Sequence, residues 1–375
     1  MIFILLLYKE LNFSVNTLIF VLRLVRVCAI ILHEGDDNMK PIKVVQYGSW
    51  GYTHAEHTMQ TMRSLPQYYN VAGFCEPHPE RLEAALKRPC YNGLKLYTPE
   101  EILADDSIDA VIVESAEVEQ ADDSLKFLKA GFNVHSDKPC GSSDAVFDEL
   151  IKTARDKKLV FQNGYMYRYN PAIVRALEIV RSGRIGELIS VEAQMSQCYH
   201  GGMRRWLGDI PGGMMFYLGC HLVDLVELFM GEPEEVLTLS MNSGLEPTGL
   251  DSGLAMLRYK HGWSMIKTVA NEVSGDARRQ FVISGTDGTI EIKPLENPFE
   301  LPGTVAANKI SMSVTVPGHP VMFADRPEVI AFPPYGRYDA MMIDFAKTVA
   351  GEKANHFDYE RELRVHRLLM KICRG

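Results

Sequence analysis

Basic residues are in deficit in this 375-residue chain: 39 Lys and Arg stand against 48 Asp and Glu, a net charge of −9. A polyanionic partner needs concentrated cations, and no basic stripe with interleaved aromatics is present, which excludes nucleic acid. Paired cysteines are also lacking. The seven (Cys28, Cys75, Cys90, Cys140, Cys198, Cys220, Cys373) are odd in number, scattered, and never spaced C-x-x-C. That argues against a disulfide framework or a zinc knuckle and for buried free thiols in a reducing cytoplasm. No paired ligand spacing suggests a metal, and none is expected.

Long unbroken apolar runs are a third absence. Met1–Leu7 is apolar, Lys9 and Glu10 interrupt it, and Leu18–Leu32 contains Arg23 and Arg26. Each arginine would cost about 2.5–3.5 kcal/mol near a bilayer centre. A basic start and a small-residue end, the marks of a secretory signal, are both missing. Residues 1–38 read as an extension from a start assigned too early, with a membrane-associated helix as the alternative, and they stay outside the fold. Membrane contact is expected only if that segment is real. Internal repeats and low-complexity tracts are also absent.

What is there begins at Met39-Lys40-Pro41, the natural opening of a first strand. From Ile42 short apolar runs alternate with amphipathic stretches, the pattern of βαβ units. Strands are expected at Ile42–Gln46, Asn70–Glu76, Asp109–Ser115, Phe132–Ser136 and Leu159–Tyr165. Helices are expected at Thr53–Leu65, Pro79–Lys87, Gln120–Ala130 and Ser142–Lys158. The grammar changes after Asn170-Pro171. A helix (Ala172–Arg181), a strand (Leu188–Gln194) and a helix from about Met214 to Met230 precede strands Val236–Met241, Leu254–Tyr259, Ser264–Glu272, Gln280–Ser284 and Thr289–Ile292. Gly285–Gly288 reads as a hairpin turn. The Pro- and Gly-rich stretch Val305–Pro334 reads as irregular, and Tyr338–Val349 and Tyr359–Ile372 as closing helices. The expected class is α/β. A doubly wound parallel Rossmann sheet occupies residues 39–162. An α+β domain with an open, mostly antiparallel sheet (163–375) binds substrate and carries the oligomer contacts.

The first strand-to-helix turn reads Gln46-Tyr47-Gly48-Ser49-Trp50-Gly51. Gly48 lets the backbone approach a pyrophosphate, and Gly51 allows close helix packing. Gln46 stands where the dinucleotide fingerprint has its first glycine. Glu76 ends the second strand, where a carboxylate binds ribose hydroxyls and repels a 2′-phosphate, so NAD is favoured over NADP. Arg81 either softens that preference or is an ordinary surface arginine.

Three later segments carry a family resemblance: Asp137-Lys138-Pro139 after a strand, Tyr165 to Pro171, and Gly212-Gly213 with Gly219-Cys220-His221-Leu222-Val223-Asp224. In this order, from about Met39 onward, the chain resembles the Gfo/Idh/MocA oxidoreductases, the glucose–fructose oxidoreductase and inositol dehydrogenase group. The resemblance implies that Lys138 is the active-site lysine and that His221, with Lys138 and Asp224, takes a hydroxyl proton. At helical spacing Tyr217, His221 and Asp224 would share one face. Tyr217 departs from an Asp common in the family. Asp137 departs from its Glu. Ser115-Ala116-Glu117-Val118-Glu119-Gln120 departs from Thr-Pro-x-x-x-His, Ser115 keeping the hydroxyl and Glu117 replacing a common Asn. The implied cofactor contacts are Gly48, Ser49, Trp50, Gly51, Glu76, Arg81, Ser115, Glu117, Gln120, Asp137 and Lys138. Tyr165, Arg168, Tyr199, His200, Arg204, Arg205 and Trp206 are expected to line a carbohydrate pocket.

The expected activity is NAD-dependent hydride transfer from a hydroxyl-bearing carbon of a sugar, polyol or derivative. Two alternatives stay open: an NAD-retaining enzyme that cleaves glycosidic bonds through transient oxidation, and a non-enzymatic sugar or NAD sensor. A homodimer or homotetramer is expected on the second sheet, whose Leu237, Leu239, Met241, Met256 and Ile266 need cover.

Overall fold

The computed structural model describes residues 39–50, 54–245, 249–298, 307–316 and 326–375. The readings of residues 1–38, and of Gly51 in the glycine turn, fall outside the described residues.

The apolar run of β1 (Ile42–Tyr47) sits at the centre of a six-stranded parallel sheet. After α1 (His54–Ser64) come β2 (Tyr69–Cys75), α2 (Pro79–Ala85), β3 (Lys95–Leu96), α3 (Pro99–Leu103) and β4 (Ala110–Val113). Then follow α4 (Gln120–Ala130), β5 (Asn133–Ser136), α5 (Asp144–Asp156) and β6 (Phe161–Asn163). The order β3-β2-β1-β4-β5-β6 reverses direction between β1 and β4. Helices cover both faces, so β4 (AVIV) is buried at every position, as a parallel strand must be. Val45, Val111 and Val113 pack with Phe127, Leu128, Phe147 and Leu150 from α4 and α5. Local sequence sets the helix starts. Ser143 accepts from Val146 N to cap α5, and Thr98 with Glu101 forms a capping box on α3.

The second sheet follows α6 (Pro171–Arg181), which Asn170 caps and Pro171 opens. It contains β7 (Leu188–Gln194); α7 (Gly201–Trp206) and α8 (Cys220–Met230) precede β8 (Glu235–Met241). Then come β9 (Ser252–Tyr259), β10 (Gly262–Val269), β11 (Gln280–Gly285), β12 (Thr289–Ile292), β13 (Ala307–Asn308), β14 (Ser311–Thr315), β15 (Glu328–Ala331) and β16 (Tyr335–Gly336). Eight strands run in the order β15-β14-β12-β11-β7-β10-β9-β8, antiparallel except for β7 with β10. Helices α9 (Asp339–Val349) and α10 (Tyr359–Arg374) close the chain. α10 returns to α5, with Arg374 on Asp144, Arg367 on Asp148 and His366 stacked 4.2 Å from Phe147. Pro41–Gly375 is thereby one compact unit.

The structure corrects four expectations. The stretch 305–334 is not wholly irregular: Ser311–Thr315 alternates, burying Met312 and Val314, and pairs with β12 and β15. The helix expected from Met214 opens with a π-turn, Met215–Gly219, before α8. Ile266 is fully buried on the inner face of the second sheet, whereas Leu237, Leu239 and Met241 are about half or more exposed on β8. Cys198 is exposed and Cys373 partly so, unlike the other described thiols. Among the described residues no helix is long and apolar enough to cross a membrane.

Candidate active site

A cleft of about 780 Å³ opens at the carboxyl ends of the parallel strands and is walled on its other side by β7–α7, the π-turn and the β10–β11 region. The position is where a doubly wound sheet receives a dinucleotide, and the volume lies within the ~300–1,000 Å³ of small-molecule sites. Ser49, Trp50, Arg81, Arg88 and Glu117 line one end.

The glycine turn is braced from beneath. Gln46, in place of the first glycine, is buried and donates through Nε2 to Gly48 O (3.1 Å) and Tyr91 Oη (2.8 Å). Gly48 has φ +88°, and a Cβ there would lie 2.6 Å from the Glu114 carbonyl. Glycine is therefore required by the approach of β1 to the end of β4, whatever the ligand. Glu76 Oε2 accepts from Ser49 N (2.7 Å) and Ser49 Oγ (2.6 Å), and Oε1 accepts from His78 N (3.0 Å). The carboxylate thus stands at the expected strand end, already holding the turn. Arg81 forks onto Glu119 (2.8 and 3.2 Å) and lies 4.5 Å over the Trp50 ring. Trp50 Nε1 donates to Glu117 (2.9 Å). Burial pushes the Glu117 carboxyl up to about 7 against the pull of Lys138. Ser115 and Gln120 are placed differently from expectation. Ser115 Oγ donates to Asp123 (2.5 Å), Gln120 Nε2 to the Ser115 carbonyl (2.9 Å), and neither lines the cleft.

Lys138 follows β5 and reaches the cleft wall although only 1% exposed. Its Nζ donates to the Tyr217 carbonyl (3.3 Å) and lies 4.9 Å from that ring's centroid. Asp137 turns instead to His54, Oδ1 to Nδ1 3.3 Å. Burial would raise the Asp137 carboxyl, but His54 and Lys138 outweigh it and hold it down at about 2.

Tyr217 parts from His221 and Asp224: those two, three apart on α8, both face the Tyr165–Arg168 segment, whereas Tyr217 lines the cleft. Tyr217 lies within the π-turn, with its i→i+5 step, that precedes α8. Tyr217 lines the cleft between Trp206 (5.2 Å) and Tyr199 (6.2 Å), and burial drives its phenol pKa well above the ordinary value. The phenol is a donor, not a base. His221 packs edge-on to Tyr167 (4.9 Å) and Tyr165 (6.1 Å) behind the wall, with Nδ1 buried and unpartnered. Burial takes its pKa well below the ordinary value, so it is neutral. Asp224 does not support His221: Arg168 grips it with Nε and Nη2 (3.0 and 2.6 Å), and Arg361 adds a third donor at 2.9 Å. Arg168 is thereby a half-buried cation held by two carboxylates and Tyr165 a core ring, and neither lines the cleft. Tyr199, His200 and Trp206 do line it; Arg204 and Arg205 do not.

The cleft also contains residues that no motif in the sequence marks, among them His54, His57, Gln197, Arg279, Glu296 and Arg337. His54 sits just beyond the glycine turn, where an imidazole at a helix start was a usable signal. His57 follows it one turn along α1, whereas Gln197, Arg279, Glu296 and Arg337 lie outside any motif and reach the cleft from the second half of the chain. Among the described residues no group of three His, Cys, Asp or Glu side chains could hold a metal ion.

The chain and its fold are similar to those of known oxidoreductases. The sequence profile of the oxidoreductase family NAD-binding Rossmann fold matches residues 42–165, and that of the GFO/IDH/MocA C-terminal domain matches 173–291. A D-xylose 1-dehydrogenase (NADP(+)) from Haloferax volcanii is 26% identical over 73% of this chain and 79% of its own. A trans-1,2-dihydrobenzene-1,2-diol dehydrogenase from Xenopus tropicalis is 25% identical over 52% of this chain and 58% of its own, so that match spans little more than half the relative. The fold is shared with the 3-ketoreductase KijD10 from Actinomadura kijaniata, solved with NADP and TDP-benzene: TM-score 0.73, 19% identity, 90% of this chain and 98% of that one. Two matched domains in sequence, and one fold across nearly the whole of both chains, place this protein in the GFO/IDH/MocA oxidoreductase family.

Proposed function

We propose that the protein oxidises a hydroxyl of a sugar, polyol or sugar derivative, with NAD preferred over NADP. The observation that carries this reading is Lys138, a cation buried in the wall between the two sheets whose one hydrogen bond among the described residues goes to a carbonyl. Such a group is poorly used by packing and well placed for a substrate hydroxyl. Ser49, Trp50, Glu76 and Glu117 would hold the dinucleotide, and Gly48 keeps β1 close to β4 beneath it. When bound, the nicotinamide supplies the acceptor for the hydride leaving the substrate carbon.

The protein's own part is to orient the hydroxyl and take its proton. Lys138 Nζ donates to the alcohol oxygen and stabilises the charge that develops there. Two neutral imidazoles stand nearby as acceptors: His54, on the cleft wall and oriented by Asp137, and His221 behind it. Tyr217, Tyr199 and Trp206 form an aromatic wall suited to a sugar ring. Support for NAD comes from Glu76, whose charge disfavours a 2′-phosphate, and from Arg81, which is neutralised by Glu119. The relatives named with NADP make this preference the point to test.

Incubation of the purified protein with each cofactor and a panel of sugars, following nicotinamide absorbance and product, tests the proposal. A reduced cofactor with a stoichiometric keto product supports it. Glycosidic cleavage with no net reduction would establish the transient-oxidation alternative instead.

A further inference from the structure

Resting on that reading, we infer that the substrate is a sugar acid, its carboxylate held in the cleft by Arg279 beside Lys138 and Arg337. These three cations come from separate parts of the chain, before β11, after β5 and after β16, and all line the cleft. Among the described residues, one carboxylate serves both guanidiniums. Glu296 accepts from Arg279 Nη1 (2.6 Å) and Arg337 Nη2 (3.3 Å) and lies 2.5 Å from Arg337 Nε. Arg337 also donates through Nη1 to Tyr338 Oη (3.1 Å), and its Nε, though within ion-pair distance of Glu296, makes no well-angled hydrogen bond. Arg279 is less complete. Its Nη1 also reaches Tyr167 Oη (3.3 Å), but its Nε is buried without a hydrogen-bond partner among the described residues.

The second spare cation is Lys138. Among the described residues no carboxylate comes within ion-pair distance of its Nζ, since Asp137 is turned to His54. Among the described residues, three cations therefore face two carboxylates, Glu296 and Asp137, and one positive charge is left over. Glu117 could offset it, but its charge is partial at neutral pH and its Oε2 is taken by Trp50 at the cofactor end. Asp276, the other acid near Arg279, is exposed at the rim. The Tyr199 hydroxyl lies in the field of Arg279, Lys138 and Arg337 together, which locates the excess beside the aromatic wall. A buried cation without its counter-ion is costly, and an incoming carboxylate removes that cost. Arginine presents the flat fork that suits a carboxylate. Tyr199 and Tyr217 would carry the ring attached to it.

The test uses full-length protein with cofactor and four probes of one skeleton: D-glucuronate, D-gluconate, D-glucose and D-glucose 6-phosphate. Titration calorimetry should give an affinity for the better of the two acids at least about tenfold above that for glucose, the size of one charged hydrogen bond. Arg279→Met should shrink that ratio at least about fivefold, and Arg279→Lys should fall between, the charge surviving without the fork. If Arg279 only braces Glu296 and Tyr167, both ligands weaken together and the ratio stays, which overturns the inference. Preference for glucose, or for the phosphate over both acids, also overturns it. Binding and turnover are read separately. Glucose oxidised without a preference for acids refutes this inference alone, whereas acids bound without turnover refutes the oxidoreductase reading alone.

Discussion

The His54 imidazole stands 3.3 Å from the carboxylate of Asp137, the residue immediately before Lys138. His54 is one of five buried or half-buried histidines, among the described residues, whose pKa is lowered chiefly by desolvation, with His57, His135, His221 and His366. Each is neutral in the folded state and binds a proton more readily when unfolded. Their contribution to stability is therefore complete above the unfolded value of 6.5 and is lost as pH falls below it. For His57 and His366 the loss extends down to about 4. Each group removes up to about 1.4 kcal/mol per pH unit in that window. Glu117 and Glu114, whose carboxyls burial raises, act in the opposite direction, but five rings outweigh two acids, and the Tm should fall progressively as pH drops below about 6.5. An unchanged Tm from neutral pH down to about 5 would contradict the burial of these rings in neutral form.

Glu76 should set cofactor choice. NAD(H) is expected to bind at least about tenfold tighter than NADP(H), or about 1.4 kcal/mol. Glu76→Ala should narrow the ratio, and because Glu76 also holds Ser49 it should weaken both cofactors somewhat. Equal affinities of the unmodified protein for the two would remove Glu76 from this role.

The outer face of the second sheet should be an interface between copies. Leu237, Leu239 and Met241 are 61%, 57% and 49% exposed along one face of β8, and an edge strand of that kind is rarely left bare. Light scattering at micromolar concentration should report a dimer or tetramer, and Leu239→Glu should lower the mass. A monomeric unmodified protein would contradict this.

These predictions rest on features that differ in how plainly the sequence displays them. The parallel sheet is legible because buried strands such as Ala110–Val113 are short, wholly apolar and separated by helices with their own caps. Lys138 is legible through its motif. The cage around Asp224 is not, because Arg168 and Glu362 are 194 residues apart and only the return of α10 joins them. A sequence also shows an i, i+4 pair without showing a π-turn, so Tyr217 and His221 look like neighbours on one face although one lines the cleft and the other lies behind it. Arg279, Glu296 and Arg337 carry no local pattern; each is an ordinary charged residue until the second sheet brings them together.

Tyr217 should act through its ring more than its hydroxyl. Its phenol stays protonated by burial, and its face lies against Lys138, Trp206 and Tyr199. Tyr217→Phe should change turnover by less than about tenfold, whereas loss of a general acid–base group costs about 10²–10⁴-fold. Tyr217→Ala should raise KM more. A Phe variant as impaired as a Lys138 variant would make the phenol part of the proton path.

The central claim is that Lys138 acts on the substrate in the cleft and does not merely fill the wall. Lys138→Met keeps much of the buried aliphatic volume and removes only the ammonium. With a substrate identified by the sugar panel, single-turnover reduction of bound NAD should slow at least about 100-fold in this variant. NAD affinity should stay within about threefold and the protein should remain folded. Near-normal turnover in folded, NAD-binding Lys138→Met protein would contradict the account.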